Sequence, residues 1–198
     1  MRVAGAAVAH ARLAVELAEK TGNLTVRAGA FGALGLANVL DEQWREALDA
    51  LGQALAIARE RRAGLPWEAQ LLAYLARAQL GLGDAATARV TAEEAIAVAQ
   101  RRGTRTFEIE AHIVLGRVLI HAGARREEVQ AALDAALSLV EETGAKSYLP
   151  LIHVERAALA RMLRDDASRE RSLREAHRLF TEMGATARAE QVARELGA

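Results

Sequence analysis

A period of about forty residues runs the length of this 198-residue chain and constrains its fold more than any single motif. Gly22, Gly64, Gly103, Gly144 and Gly184 mark it, at spacings of 42, 39, 41 and 40 residues. Just upstream of each glycine lies an apolar pair, Leu17-Ala18, Ile57-Ala58, Val98-Ala99, Leu139-Val140 or Leu179-Phe180. Three residues before each pair sits an alanine: Ala14, Ala54, Ala95, Ala136 and Ala176. A second column follows each glycine by twelve or thirteen residues, where a small residue usually succeeds Leu: Leu34-Gly35, Leu75-Ala76, Leu115-Gly116, Arg156-Ala157 and Leu196-Gly197. A fixed period of this size marks stacked supersecondary units, each burying its apolar face against its neighbours.

Within a period the pattern divides into two helical stretches. The breaks read Leu40-Asp41-Glu42-Gln43, Gly81-Leu82-Gly83-Asp84, Ala122-Gly123-Ala124 and Arg164-Asp165-Asp166, which supply helix-stop and N-cap chemistry. Apolar residues then recur at helical spacing, as in Leu48, Leu51, Leu55 and Ala58 or Val129, Leu133, Ala136 and Val140, and no strand-like alternation is found. Composition agrees. The chain is 52% apolar, largely alanine, with only 4% aromatic residues and two prolines, a mixture suited to closely packed helices. The expected fold is all-α: one right-handed α-solenoid of antiparallel helix pairs over residues 1–198. An unpaired helix at 1–22 precedes helix-pair repeats at 23–64, 65–103, 104–144 and 145–184, and a capping helix at 185–198 closes it. Glycine and alanine hold fixed columns because a larger side chain would keep the helix axes apart.

These residues resemble the tetratricopeptide repeat (TPR), whose first helix carries a Leu-Gly pair and whose second carries two alanine positions. The earlier alanine is kept at Ala47 and Ala88 and replaced by Val129 and Arg169; the later one is alanine in every copy. The large residue between them is Leu51, Ala92, Leu133 or Leu173. The aromatic near the start of the first helix survives only as Phe31, with Leu72, His112 and His153 in the other copies. The period is nearer 40 than the usual ~34. This longer form is similar to repeats in the C-terminal sensor regions of bacterial multidomain regulators, including regulatory ATPases, LuxR-type activators and adenylate or guanylate cyclases. The ending Leu179-Phe180-Thr181-Glu182-Met183-Gly184, followed by a short Ala/Arg/Glu/Leu helix, looks like the tail of such proteins.

Residues 1–20 match a second helix with no first helix before it, Val8, Ala11, Ala14, Val15 and Ala18 sharing one side; residues 185–197 match a first helix with no second. Terminal repeats need a polar outer face. The C-terminal helix, with Arg188, Glu190, Arg194 and Glu195, is therefore expected to act as a cap, and the N-terminal end is expected to be cut from a longer protein, Met1 being an added start. An uncovered N-terminal face predicts homodimerisation through that helix.

Several function classes are disfavoured. Lys and Arg number 26, as do Asp and Glu, so net charge is zero and the basic excess of a nucleic-acid-binding domain is missing. Cysteine is absent, which removes disulfides, thiolate metal sites and cysteine nucleophiles. Apolar runs are short and broken by charge or glycine, and the N-terminus lacks a signal-peptide layout, so no membrane segment and a cytoplasmic location are expected. His10, His112, His121, His153 and His177 form no His-Glu-x-x-His pair; His112 and His153 fill the Phe31 and Leu72 column and are expected to be half-buried packing residues, with no metal. Ser138, Ser147, Ser168 and Ser172 have no nucleophile elbow. Gly29, Gly32 and Gly35 lack the Lys-Ser/Thr ending of a phosphate loop and are expected to pack against the N-terminal helix. Arg59, Arg61, Arg62, Arg101 and Arg102 fall in the last turns of second helices, where a solvated charge complements the helix dipole. No enzyme and no cofactor are expected.

The TPR resemblance implies that first helices line an inner groove. The positions this assigns are Gly29, Gly32, Ala33, Leu36 and Val39; Gln70, Ala73, Tyr74, Arg77 and Leu80; Glu110, Ile113, Val114, Arg117, Ile120 and His121; and Leu151, Val154, Glu155, Ala158, Arg161 and Met162. Arg77 and Arg117 share a column near Tyr74, so they either clamp a carboxylate or phosphate of a partner or form an ion pair with Glu110 or Glu155. The carboxylate-clamp form of the family places Lys and Asn inside its groove, whereas Lys20 and Lys146 here fall outside it. The expected function is a protein-protein interaction module that binds a partner peptide or domain, as the sensor or scaffold part of a bacterial regulator. A small-molecule-sensing domain and a structural self-association unit are the alternatives. Gln70, Tyr74, Arg77, Glu110, Arg117, His121, Glu155 and Arg161 are the candidate groove residues.

Overall fold

The computed structural model describes residues 3–197. Ten α-helices and two short 3-10 helices make up the described residues, with no strand among them. The helices are α1 (Val3–Thr21), α2 (Leu24–Leu40), α3 (Trp44–Glu60), α4 (Glu68–Gly81), α5 (Ala85–Arg102), α6 (Arg105–His121), α7 (Arg126–Thr143), α8 (Leu149–Met162), α9 (Asp166–Glu182) and α10 (Thr186–Leu196). Packing divides the chain into two compact units, Met1–Phe107 and Glu108–Ala198, with the division inside α6.

Every break expected from the sequence separates two helices. Asp84 and Asp165 stand at equivalent places and cap α5 and α9, their carboxylates accepting the main-chain N–H of Thr87 and Ser168 at 3.0 Å. Asn23 caps α2 in the same manner, accepting from Thr25 and Val26 at 3.0 and 3.2 Å. Two features were not foreseen, the 3-10 turns Leu65–Trp67 and Lys146–Tyr148 that lead into α4 and α8. Both prolines, Pro66 and Pro150, sit where these turns and helices begin, at positions that need no main-chain N–H.

In the unit of residues 1–107, α1 lies on α2 through Val8 and Ala11 against Leu34 and Ala37. Helices α2 and α3 meet at Gly35, where a Cβ would stand 2.5 Å from Leu51 Cγ. Gly81, at the end of α4, seats the indole of Trp44; a Cβ there would lie 2.3 Å from the ring. In the unit of residues 108–198 the same device recurs as Gly116 under Leu133, 2.6 Å from a Cβ built on the glycine. Leu119, Val129, Leu133 and Leu159 knit α6, α7 and α8 together, and Ala157, Leu173, Phe180, Ala189 and Val192 join α8, α9 and α10. Leu51, Leu133 and Leu173 are at most 1% exposed, each contributing about 2 kcal/mol of burial.

The alanine column follows the same geometry. Ala54, Ala95, Ala136 and Ala176 are fully buried. Ala14 is exposed, and Leu13 and Leu17 are each about half exposed. Only Val8, Ala11 and Ala18 of the expected α1 face are buried, because among the described residues α2 covers one side of α1 and nothing covers the other.

Left-handed backbone recurs with the period. The five ruler glycines have φ between 66° and 75°, and a second column inside each pair comprises Glu42 (φ 59°), Gly83 (φ 85°), Gly123 (φ 65°) and Arg164 (φ 58°). Glu42 and Arg164 are exposed side chains in a conformation that costs an L-residue about 1 kcal/mol. Glu42→Gly and Arg164→Gly should therefore each raise unfolding stability by up to about 1 kcal/mol, read as a higher urea midpoint at unchanged slope. Gly81→Ala should act in the opposite direction, lowering stability by about 1–3 kcal/mol as the Trp44 ring is forced from its seat.

Candidate functional site

In the first unit, α2 and α4 leave an apolar cleft of about 340 Å³, lined by Gly29, Gly32, Ala33, Leu36, Trp67, Gln70, Leu71 and Tyr74. The cleft exists because α2 carries no side chain at two successive turns of this face. A Cβ at Gly29 would stand 3.5 Å from the Trp67 ring, and one at Gly32 would meet Leu71 Cδ2 at 2.8 Å. The expectation that these glycines pack against the N-terminal helix is thus corrected: Gly29 and Gly32 face Trp67 and Leu71, and Gly35 faces Leu51. Trp67, 37% exposed, is a residue that the sequence reading missed. It projects from the unforeseen 3-10 turn, and its size after Gly64-Leu65-Pro66 was the available signal.

The second unit has a polar cavity of about 530 Å³ between α6, α8, α9 and α10. Arg117, His121, Val154, Glu155, Ala158 and Arg161 come from the assigned groove positions; Arg169, Leu173, Gln191 and Glu195 are additions from α9 and α10. An adjoining apolar recess of about 320 Å³ involves Ile120, His121, Ala158, Arg161 and Met162. The Arg117 guanidinium donates from both Nε (2.9 Å) and Nη2 to one carboxylate oxygen of Glu155, which is only 3% exposed. The charge of Glu155 accordingly holds Arg117 above the usual arginine range against the opposing effect of burial. His121 Nδ1 lies 2.9 Å from the carbonyl oxygen of Arg117, one turn earlier. Glu110 lies near Tyr148, whose hydroxyl is pushed up by burial and then by that carboxylate. Gln70, Tyr74 and Arg77 belong to the first unit, Arg77 half-buried on α4. Four of the assigned positions, Val39, Ala73, Ile113 and Val114, are buried core and not groove.

Two of the arginines expected to be solvated dipole charges are instead ligands of a buried acid. Glu68, the first residue of α4, accepts Arg59 Nε at 2.9 Å and Arg102 Nη2 at 2.6 Å, and Arg59 Nη2 also reaches Glu94 at 2.6 Å. Burial alone would raise the Glu68 pKa, but the bonds from Arg102 and Arg59 outweigh it and hold the carboxyl below its ordinary range. This joins the ends of α3 and α5 to the start of α4. Among the described residues, no three His, Cys, Asp or Glu side chains gather as a metal site, and no helix is long and apolar enough to cross a membrane.

No family model matches the sequence, and no curated protein matches it. A solved structure of a Rap protein complexed with Competence and Sporulation Factor is similar in fold, with a TM-score of 0.68 at 17% sequence identity. The match covers 96% of this chain and 56% of that one, so the chain spans little more than half the length of its structural relative. The protein is therefore an all-α, TPR-like helical repeat built of antiparallel helix pairs.

His112 and His153 are half-buried, in the column that holds Phe31 and Leu72. His112 Nδ1 is buried without a hydrogen-bond partner. Burial lowers the pKa of both imidazoles, partly offset by Glu108 at His112 and reinforced by Arg156 at His153. The unfolded chain thus takes up these protons first, near pH ~6.5, and stability present above that pH is lost as pH falls toward the folded values. The thermal midpoint should fall between pH 7.5 and 5.5, and a His112→Leu/His153→Leu variant should show a smaller fall over the same interval.

Proposed function

We propose that this chain is a protein-protein interaction module that holds a partner segment against the inner faces of its first helices. The observation that carries the reading is the cleft of the first unit, where Gly29 and Gly32 withdraw side chains opposite Trp67, Gln70 and Tyr74. An apolar floor with a few polar and aromatic groups at its edge suits side chains of a bound segment. Arg77, Glu110, Arg117, His121, Glu155 and Arg161 are assigned to the same role, in their respective units. The fold shared with a Rap protein that was solved in complex with Competence and Sporulation Factor supports a helical repeat used to hold a factor.

The forty-residue period and its resemblance to bacterial sensor regions support a further step: the module is the sensor or scaffold part of a cytoplasmic bacterial regulator, reading residues 1–198 as one solenoid without catalysis of its own. The size of the cleft, about 340 Å³, also fits a small-molecule sensor. Thermal shift against sugars, nucleotides and acyl compounds separates that reading, since a ligand of the folded state raises the midpoint by mass action.

The buried pairing of Arg117 with Glu155 dictates which variant tests the groove, because charge reversal there would set two acids side by side and unfold the site. Ala33 is exposed on the cleft rim. Ala33→Arg should abolish binding of peptides selected from a random displayed library on the intact protein, while leaving the thermal midpoint within about 2 °C. Retention of those peptides at full affinity would remove the cleft from the proposal.

A further inference from the structure

The polar cavity of the second unit contains more positive charge than its acids neutralise. Arg117 is matched by the buried carboxylate of Glu155. Arg169 donates its Nη2 to the main-chain carbonyl of Glu195 at 2.6 Å, a bond that orients the guanidinium without cancelling its charge. Arg161 also lines the cavity and makes no hydrogen bond or ion pair with any described residue. Arg188, on α10, likewise has none, yet its pKa is lowered, first by burial and then by repulsion from Arg117. Glu195 is the remaining acid of the lining. Three lining guanidinium groups against two carboxylates leave an excess of one, to which Arg188, close enough to Arg117 to feel its charge, adds a second.

Like charges converge in this way at a cost, and an anion that bridges them removes it. Shape narrows the choice of anion. The three lining arginines stand on three different helices, α6, α8 and α9, so their donors approach from several directions. A planar carboxylate is served by one guanidinium fork, whereas a phosphoryl group presents three acceptor oxygens and close to two charges near neutral pH. His121 and Gln191 add polar groups at the wall, and a volume of about 530 Å³ admits such a group with the atoms that bear it.

We propose that the cavity lined by Arg117, Arg161 and Arg169, together with Arg188 on α10, binds a phosphoryl group, borne either by a phosphorylated side chain of a partner or by a free phosphate. The proposal deepens the groove reading of Arg117 and Arg161, on which it rests for the accessibility of this face, but its test uses no partner protein. Arg161→Gln/Arg188→Gln is the informative variant because both side chains are exposed and free of structural bonds, and Arg45→Gln, an exposed arginine of the first unit, is its control.

Isothermal titration calorimetry of the full chain at low salt, with inorganic phosphate and with the peptides Ala-Ala-phosphoSer-Ala-Ala and Ala-Ala-Ser-Ala-Ala, measures the site directly. Phosphate should bind at one site per chain; the double variant should weaken it by about tenfold or more, and Arg45→Gln should leave it unchanged. Tighter binding of the phosphopeptide than of phosphate identifies a phosphorylated chain as the source, and equal or weaker binding identifies free phosphate. The proposal is overturned if wild type binds neither, if the double variant binds as wild type does, or if succinate binds more tightly than phosphate. Retention of displayed peptides by Ala33→Arg with phosphate binding intact would sink the cleft reading alone.

Discussion

The close approach of neighbouring helices at a residue without a side chain is the constraint on which the rest of this structure depends. Gly35 beneath Leu51, Gly81 beneath Trp44 and Gly116 beneath Leu133 each leave too little room for even one methyl group. A large side chain on one helix is thereby accommodated by its absence on the other, and the backbones stay near enough for Ala54, Ala95, Ala136 and Ala176 to be fully buried. The second pair distributes its bulk otherwise: Ala76 and Ala92 occupy the two positions, both fully buried.

The same economy of side chains opens the candidate surfaces. Where Gly35 lets α3 approach, Gly32 and Gly29, about one and two turns earlier on α2, face Leu71 of α4 and Trp67 of the preceding 3-10 turn and leave a cleft that these side chains only partly fill. Charge is handled differently in the two units. Glu68 is satisfied by Arg59 and Arg102, so its network ties helix ends together and leaves no charge to recruit a ligand. Glu155 satisfies only one of the arginines around its cavity, and the remaining positive charge faces solvent. One buried acid thus consolidates the fold, and the other sits in a site with charge to spare.

Much of this was legible from spacing. Positive φ at the ruler glycines, the Asp84 and Asp165 caps and the breaks between paired helices are local consequences of residue type, which a one-dimensional pattern records. The groove positions were legible in part: Gly29, Gly32, Ala33, Leu36, Gln70 and Tyr74 do line one cavity, and Arg117, Glu155 and Arg161 another. Val39, Ala73, Ile113 and Val114 share the same helical faces but are buried, since periodicity gives a direction around a helix and not the depth to which its neighbours cover it. Trp67, Arg169 and Gln191 were missed because they reach the cavities from a turn and from later helices that the first-helix rule does not include.

The sequence by itself determined the all-helical class, the breaks within the helix pairs and the small residues at their crossings, because capping, left-handed turns and helical periodicity act over a few residues at a time. Tertiary structure decided the partners. Gly32 meets Leu71, Arg102 meets Glu68 and Arg117 meets Glu155, pairs separated by 34 to 39 residues, and none of these choices is encoded in local propensity. They follow from which side chains lie at the same height once the helices are stacked, a three-dimensional coincidence that turns a repeated pattern into individual sites.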